Sequence, residues 1–180
     1  MNAPVIWVIL PALLGFILLF FRKHHRIVYL VGVGGSALFT LLAWLLKVDS
    51  IYTVGKLELK ISSSLLVLGR ELKLTTEQQP IIIMVFGIVT FWLFGALFQR
   101  SFSLFPSVSL IMSSCLVASL AVVPFLYAAV LIELACLVSL TVFFQHGKLL
   151  KTGALRYLTY QTFGMAFLLI AGWMLSGVEI

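Results

Sequence analysis

One carboxylate lies alone in the middle of an apolar segment, and it is the residue of this sequence best suited to carry chemistry. The segment covers residues 124–144 and reads PFLYAAVLIELACLVSLTVFF, with Glu133 near its midpoint. Placing a charged side chain at the centre of a bilayer costs roughly 3 kcal/mol on insertion scales. Glu133 therefore predicts a proton-handling or ion-pairing site, with a protonated and merely packed carboxyl as the alternative.

On a helix, the face that carries Glu133 is lined by small and apolar side chains. These are Leu126, Ala129, Val130, Cys136, Leu137 and Leu140. Ala129 and Cys136 are small enough to admit water or a neighbouring helix. No lysine, arginine or histidine of the sequence falls at mid-membrane depth, so a permanently charged Glu133 would need a partner from outside this chain.

Several weaker candidates accompany Glu133. A water-filled path could be lined by Cys136 and by the serines of the preceding apolar segment, Ser113, Ser114 and Ser119, although bonding of these hydroxyls to backbone carbonyls is the favoured interpretation. The GVGGS motif at residues 32–36 resembles a phosphate-binding loop, but its apolar surroundings favour close helix packing. His24 and His25 are adjacent and have no further ligand nearby, so no metal site is predicted. No nucleotide, iron–sulfur or haem motif is present, so no cofactor is expected.

Composition places these residues in a membrane. The chain has 180 residues, of which 62% are hydrophobic and 10% charged, and its mean hydropathy is +1.18. Soluble domains carry about 25% charged residues. The net charge of +6 could suggest nucleic-acid binding. That function is excluded, because the basic residues lie in short loops between apolar segments, where they orient a membrane protein. Cys115 and Cys136 fall inside apolar segments and are expected to be free thiols.

The sequence predicts an all-α integral membrane protein with six transmembrane helices in a single domain, residues 1–180. Each crossing takes about 20 apolar residues as a helix. The predicted spans are residues 3–21, 27–46, 80–98, 104–123, 124–144 and 157–176. The fourth and fifth abut at Pro124, whose ring opposes a continuing helix. A tight turn is expected there, and a single kinked helix is the alternative.

Residues 50–78, between the second and third spans, follow a different period. KLELKI at 56–61 and RELKL at 70–74 alternate apolar and polar residues, which is typical of strands. The serines at 62–64 and Gly69 favour turns between them. A short β-hairpin lying across the outer surface is predicted, with a disordered polar loop as the alternative.

Basic residues predict the orientation. If six spans alternate, one side of the membrane receives Arg22, Lys23, Arg26, Arg100, Lys148, Lys151 and Arg156. On the other side, the basic residues of the long segment are nearly balanced by acidic ones. The positive-inside rule then predicts a multi-pass protein of the cell (inner) membrane, with both termini and the hairpin outside. The first span is not expected to be a cleaved signal peptide, because its charges follow the apolar run.

Two stretches resemble a known family. LYAAVLIELACLVSLTVFF at 126–144 and GALRYLTYQTFGMAFLLIAGWML at 153–175 are similar to antiporter-like subunits of proton-pumping NADH:quinone oxidoreductase (complex I), a superfamily that includes Mrp antiporter subunits and membrane-bound hydrogenases. In that family a mid-membrane glutamate lies on the fifth transmembrane helix, and Glu133 matches it. The next helix opens with a basic-aromatic pair, matched by Arg156 and Tyr157. An outer β-hairpin between early helices matches residues 56–74.

The resemblance implies a membrane subunit of a proton-translocating respiratory complex, with Glu133 in the translocation path and no active site or cofactor of its own. Its partners would be the lipid bilayer and other membrane subunits. Family members have many more helices, and the seventh carries a lysine that pairs with the glutamate. The chain would therefore be the N-terminal six-helix portion of such a subunit, from a split gene, a truncation or a partial sequence.

Two other functions stay open at this point. A non-catalytic six-helix scaffold or assembly protein could hold Glu133 protonated or paired across an oligomer. A small transporter is the third interpretation, although the sequence shows no inverted repeat. The translocated ion could be H⁺ or Na⁺.

Overall fold

The structure is a computed structural model that describes residues 2–46, 48, 51–54, 57–67, 69–98, 104–123, 126–142 and 152–176. Six α-helices account for most of these residues. They are α1 (Leu10–Phe20), α2 (His25–Leu45), α3 (Gln79–Phe98), α4 (Phe105–Ala121), α5 (Leu126–Leu140) and α6 (Thr152–Ser176). A π-helical turn at Val5–Ile9 leads into α1, and a 3-10 turn at Thr76–Gln78 leads into α3. The predicted six-helix, mainly helical chain is confirmed.

Two of the described helices are long and apolar enough to cross a bilayer. They are α2, and α3 together with its preceding turn, Thr76–Phe98. The apolar helices over Val5–Phe20, Phe105–Ala121 and Tyr127–Leu140 are shorter. Length and composition thus indicate membrane association, while the crossing by all six helices stays a prediction.

The segment between α2 and α3 contains four short strands in two antiparallel pairs. The strands are β1 (Ile51–Val54), β2 (Leu57–Lys60), β3 (Ser64–Val67) and β4 (Arg70–Lys73), with β1 paired to β2 and β3 to β4. The prediction of β structure here is confirmed, but a single hairpin joining 56–61 to 70–74 is wrong. Each alternating stretch pairs with the strand directly before it, since a shorter loop loses less entropy on closure. Gly69, at φ 76°, occupies the second of these turns.

A fifth strand separates α4 from α5. β5 (Val122–Val123) pairs antiparallel with β4, placing Leu72 opposite Val122 and Glu71 opposite Val123. The extended backbone of β5 shows that α4 and α5 are two helices, so the alternative of one kinked helix is wrong. Pro124 itself lies outside the described residues.

These strands define one end of the bundle, which we call the strand end. The N-terminus lies there too, because the Ala3 N–H donates to the Ser62 carbonyl at 2.8 Å. α5 leaves the strand end after β5 and reaches the opposite end at Leu140. The opposite end also holds the turn between α1 and α2, with Arg22, Lys23 and Arg26, and we call it the basic end.

α4 is the centre of the helical bundle. It contacts α1, α2, α3 and α5, and most of its side chains are buried. Glycines allow the closest approaches to it: a Cβ built on Gly32 would lie 2.8 Å from Cβ of Pro106. Gly32 belongs to the GVGGS motif, so the interpretation of that motif as a helix-packing surface is confirmed.

Glutamines join the helices at the strand end. Nε2 of Gln79 donates to the carbonyls of Ala43 at 2.7 Å and Leu46 at 3.2 Å, and Nε2 of Gln78 donates to the carbonyl of Leu120 at 2.8 Å. Carbonyls in the last turn of a helix have no partner within the helix. The 3-10 turn and the first residue of α3 therefore provide partners for carbonyls at the ends of α2 and α4.

Candidate functional site

Glu133 is the central residue of α5, which lies between α4 and α6. Its side chain is half-buried, and its Oε2 atom is buried with no hydrogen-bond partner among the described residues. A buried acceptor without a partner costs about 1–3 kcal/mol, and more if it is charged. Such an atom is expected where a proton, an ion or a partner group binds.

Polar side chains continue from Glu133 toward the basic end of α5. Cys136 and Ser139 follow at i+3 and i+6, the spacing of a ridge that runs along a helix surface. The Ser139 hydroxyl donates to the Cys136 carbonyl at 2.6 Å. The Thr141 hydroxyl donates to the Val138 carbonyl at 2.7 Å, just beyond the end of the helix. The half of α5 nearer the basic end thus offers a row of exchangeable protons.

Tyr157, near the start of α6, reaches this row from the neighbouring helix. Its hydroxyl lies near the side chains of Ser139 and Cys136, and Glu133 is close enough to act on that hydroxyl electrostatically. We call Glu133, Cys136, Ser139 and Tyr157 the Glu133 cluster. It combines one carboxyl, one thiol and two hydroxyls. Tyr157 is 39% exposed, so the cluster is open on the side of α6.

The predicted path-lining residues separate into two groups. Cys136 lies in the Glu133 cluster, and like Cys115 it is a free thiol, as predicted. Ser113 and Ser114 are buried on α4, and their hydroxyls donate to the carbonyls of Leu110 at 2.9 Å and Val8 at 2.6 Å. Ser119 likewise donates to a carbonyl of its own helix. These bonds agree with the alternative of packed hydroxyls, and a path-lining role for the serines stays a prediction.

Sequence reasoning missed Ser139 and Tyr157 as site residues. A signal existed for each: Ser139 follows Cys136 by three residues on an otherwise apolar helix, and Tyr157 belongs to the basic-aromatic pair of the family resemblance. Their meeting could not be read from the sequence, because it depends on how α5 and α6 rotate against each other.

The basic residues and histidines around the turn between α1 and α2 lie at the basic end of the bundle. Arg22, Lys23, His24 and Arg26 are exposed at the basic end, and the His25 ring packs on Tyr29 with a centroid distance of 4.8 Å. In the part of the chain that the structure describes, no group of three His, Cys, Asp or Glu residues could hold a metal ion. The carboxyl, thiol and hydroxyls of the Glu133 cluster can exchange protons, and the carboxyl can also pair with a cation.

Comparison of the chain with protein-family models, with curated proteins and with solved structures finds no match.

Proposed function

We propose that this chain is a membrane subunit of a proton-pumping respiratory complex of the NADH:quinone oxidoreductase type, to which it contributes Glu133 as a proton-translocating group. The observation that carries the proposal is the Oε2 atom of Glu133, which is buried at the middle of an apolar helix and has no hydrogen-bond partner among the residues that the structure describes. Such a group is costly in a low-dielectric surrounding unless it binds a proton or meets a cation. The family resemblance supplies the reaction class.

The proposal includes crossing of the membrane by all six helices. Large apolar side chains are exposed on α1, α2, α3 and α6, where a soluble protein would present polar ones. Examples are Phe16, Leu38, Phe91, Trp92, Phe163 and Phe167. α5 has 15 residues and a length of about 22 Å, less than the ~30 Å hydrocarbon core. Residues flanking α5, or local thinning of the bilayer, would accommodate the difference.

In this function Glu133 alternates between two states. Low-dielectric surroundings favour the neutral carboxyl, whereas an ammonium group nearby favours the carboxylate. A lysine on a helix outside these 180 residues is the proposed partner. Approach of that lysine would release the proton of Glu133, and its withdrawal would allow a new proton to bind. The conformational change of the complex would in this way be coupled to proton movement.

The experiment that tests this function is proton uptake by vesicles that contain the assembled complex, with wild type compared to Glu133→Gln. Loss of uptake with assembly intact is expected. In the alternative of a membrane scaffold, the substitution is silent, because a protonated carboxyl and an amide pack alike.

We predict a defined orientation for the two ends of the bundle. Lys73 in β4 and Lys23 beside α2 are both exposed, at the strand end and the basic end respectively. With Cys115 and Cys136 replaced by serine, an impermeant maleimide applied to intact cells should label Lys73→Cys and not Lys23→Cys. The opposite pattern would invert the orientation, and labelling of both from one side would contradict the alternating spans.

α6 offers the surface at which further helices would bind. The face expected to meet them is exposed along its length: Thr159, Thr162, Phe163, Ala166 and Ile170. We predict that the chain expressed alone forms heterogeneous oligomers in mild detergent or is degraded, because this face lacks its partner. Size-exclusion chromatography with light scattering measures this outcome. A stable, monodisperse monomer would contradict a dependence on partner subunits.

A further inference from the structure

We infer that Glu133 exchanges its proton with water at the basic end of the bundle, through the hydroxyls of Tyr157 and Ser139. This inference rests on the proposed function and adds to it a route, a side of the membrane and a second residue. Tyr157 thereby becomes the group that connects the carboxyl on α5 to solvent.

The distribution of polar side chains along α5 and α6 gives the route its direction. Between Glu133 and the basic end, α5 carries Cys136 and Ser139, and Thr141 follows. Toward the strand end, residues 128–132 read AAVLI. α6 repeats this asymmetry, since its polar residues lie in its first part, whereas residues 163–172 read FGMAFLLIAG. Beyond the apolar stretch at 128–132, Tyr127 is the only hydroxyl of α5 on the strand side, whereas the thiol of Cys136 lies one helical turn from Glu133 on the basic side and is followed by Ser139.

The placement of the side chains in the Glu133 cluster permits the transfer. The Ser139 hydroxyl donates to the Cys136 carbonyl, which leaves its oxygen free to accept a proton. The Tyr157 hydroxyl interacts with both Ser139 and Cys136 and lies within electrostatic range of Glu133. A rotation of the Glu133 side chain, or one bridging water, closes the remaining step.

Protons balance at each step of the route. The Tyr157 O–H bond breaks as an O–H bond forms on the Glu133 carboxylate. In the same concerted movement the tyrosine oxygen takes a proton from Ser139, whose hydroxyl has rotated away from the Cys136 carbonyl, and Ser139 takes one from a hydronium ion at the basic end, which is left as water. One proton has then moved from water to Glu133, and both hydroxyls are neutral again.

The test is Tyr157→Phe in the assembled complex, with Tyr160→Phe as the matched control. Both changes remove one hydroxyl from the first part of α6, but Tyr160 is 75% exposed and is not a member of the Glu133 cluster. Proton uptake by vesicles should fall about tenfold in Tyr157→Phe, as when a hydrogen bond to a charged group is lost. It should stay at the wild-type rate in Tyr160→Phe.

A spectroscopic signature separates this relay role from a structural one. The infrared C=O band of protonated Glu133 is assigned by its absence in Glu133→Gln. In Tyr157→Phe the band should shift in frequency and appear more slowly after acidification of the basic side, with assembly unchanged. If Tyr157→Phe does not assemble, Ser139→Ala interrupts the same route from the α5 side. The C=O band should then again appear more slowly after acidification of the basic side.

The outcomes distinguish this inference from the function it rests on. If Glu133→Gln abolishes uptake while Tyr157→Phe has wild-type uptake and an unchanged band, the route through Tyr157 is wrong and the function of Glu133 stands. Faster protonation of Glu133 from the strand side would also overturn the route. Wild-type uptake in Glu133→Gln would instead overturn the proposed function.

Discussion

Replacing Glu133 with glutamine is expected to lower proton uptake by the assembled complex by about 100-fold or more, the contribution typical of a proton-transferring side chain. Glutamine keeps the shape of the side chain and can still form hydrogen bonds, but it cannot take up or release a proton. The buried Oε2 position would be occupied by an amide group of similar size. The loss should therefore come from broken proton coupling, with the protein still folded. Uptake is measured with a pH-sensitive dye in vesicles energised by the electron donor of the complex.

Glu71→Gln is the matched control for this substitution. Glu71 is exposed in β4 at the strand end, where it pairs with Val123 just before α5 begins, and it is not part of the Glu133 cluster. The same chemical change at Glu71 should therefore leave uptake at the wild-type rate. Co-purification of the partner subunits shows whether each variant assembles. Wild-type uptake in an assembled Glu133→Gln complex would refute a translocating role and support the scaffold alternative.

The central position of Glu133 could be predicted, because an apolar segment that as a helix is about as long as the bilayer is thick has a clear midpoint. The fold of residues 50–78 could be predicted only in part. An alternating pattern marks a strand and the face it buries, but it does not name the strand's partner. β5 gave no signal at all, since Val122 and Val123 continue an apolar run that a helix would also fit.

The contribution of α6 to the candidate site, Tyr157, depends on tertiary structure. Nothing in the local sequence of α6 indicates that Tyr157, and not Tyr160, turns toward α5. The crossing of two helices is decided by the side chains packed along their whole contact. For the same reason the sequence could not distinguish a serine that lines a path from Ser114, whose hydroxyl bonds the Val8 carbonyl of another helix.

Substituting Gly15 with alanine is expected to destabilise the helical bundle by about 1–3 kcal/mol, the usual effect of overpacking. A Cβ at this position would lie 2.7 Å from Cγ1 of Ile111, 2.9 Å from the Ser107 carbonyl oxygen and 3.2 Å from the Ile111 nitrogen. Two of these atoms belong to the backbone of α4 and cannot move aside as a side chain can. α1 and α4 would have to separate, and α4 also holds α5 in position. Thermal unfolding in mild detergent, followed by circular dichroism, measures the loss.

Gly34→Ala provides the comparison, because Gly34 lies inside α2 and, apart from the adjacent residues and backbone of its own helix, no described atom would come within 4 Å of its new Cβ. Alanine favours a helix over glycine by about 1 kcal/mol, so this variant should be neutral or slightly more stable. Both substitutions add one methyl group to a helical glycine, and they differ in whether a neighbouring backbone occupies the space. Equal stabilities for the two variants would show that α1 and α4 do not approach each other closely at Gly15. A weakened Gly15→Ala variant that also loses proton uptake would connect the packing of α4 to the geometry of the Glu133 cluster.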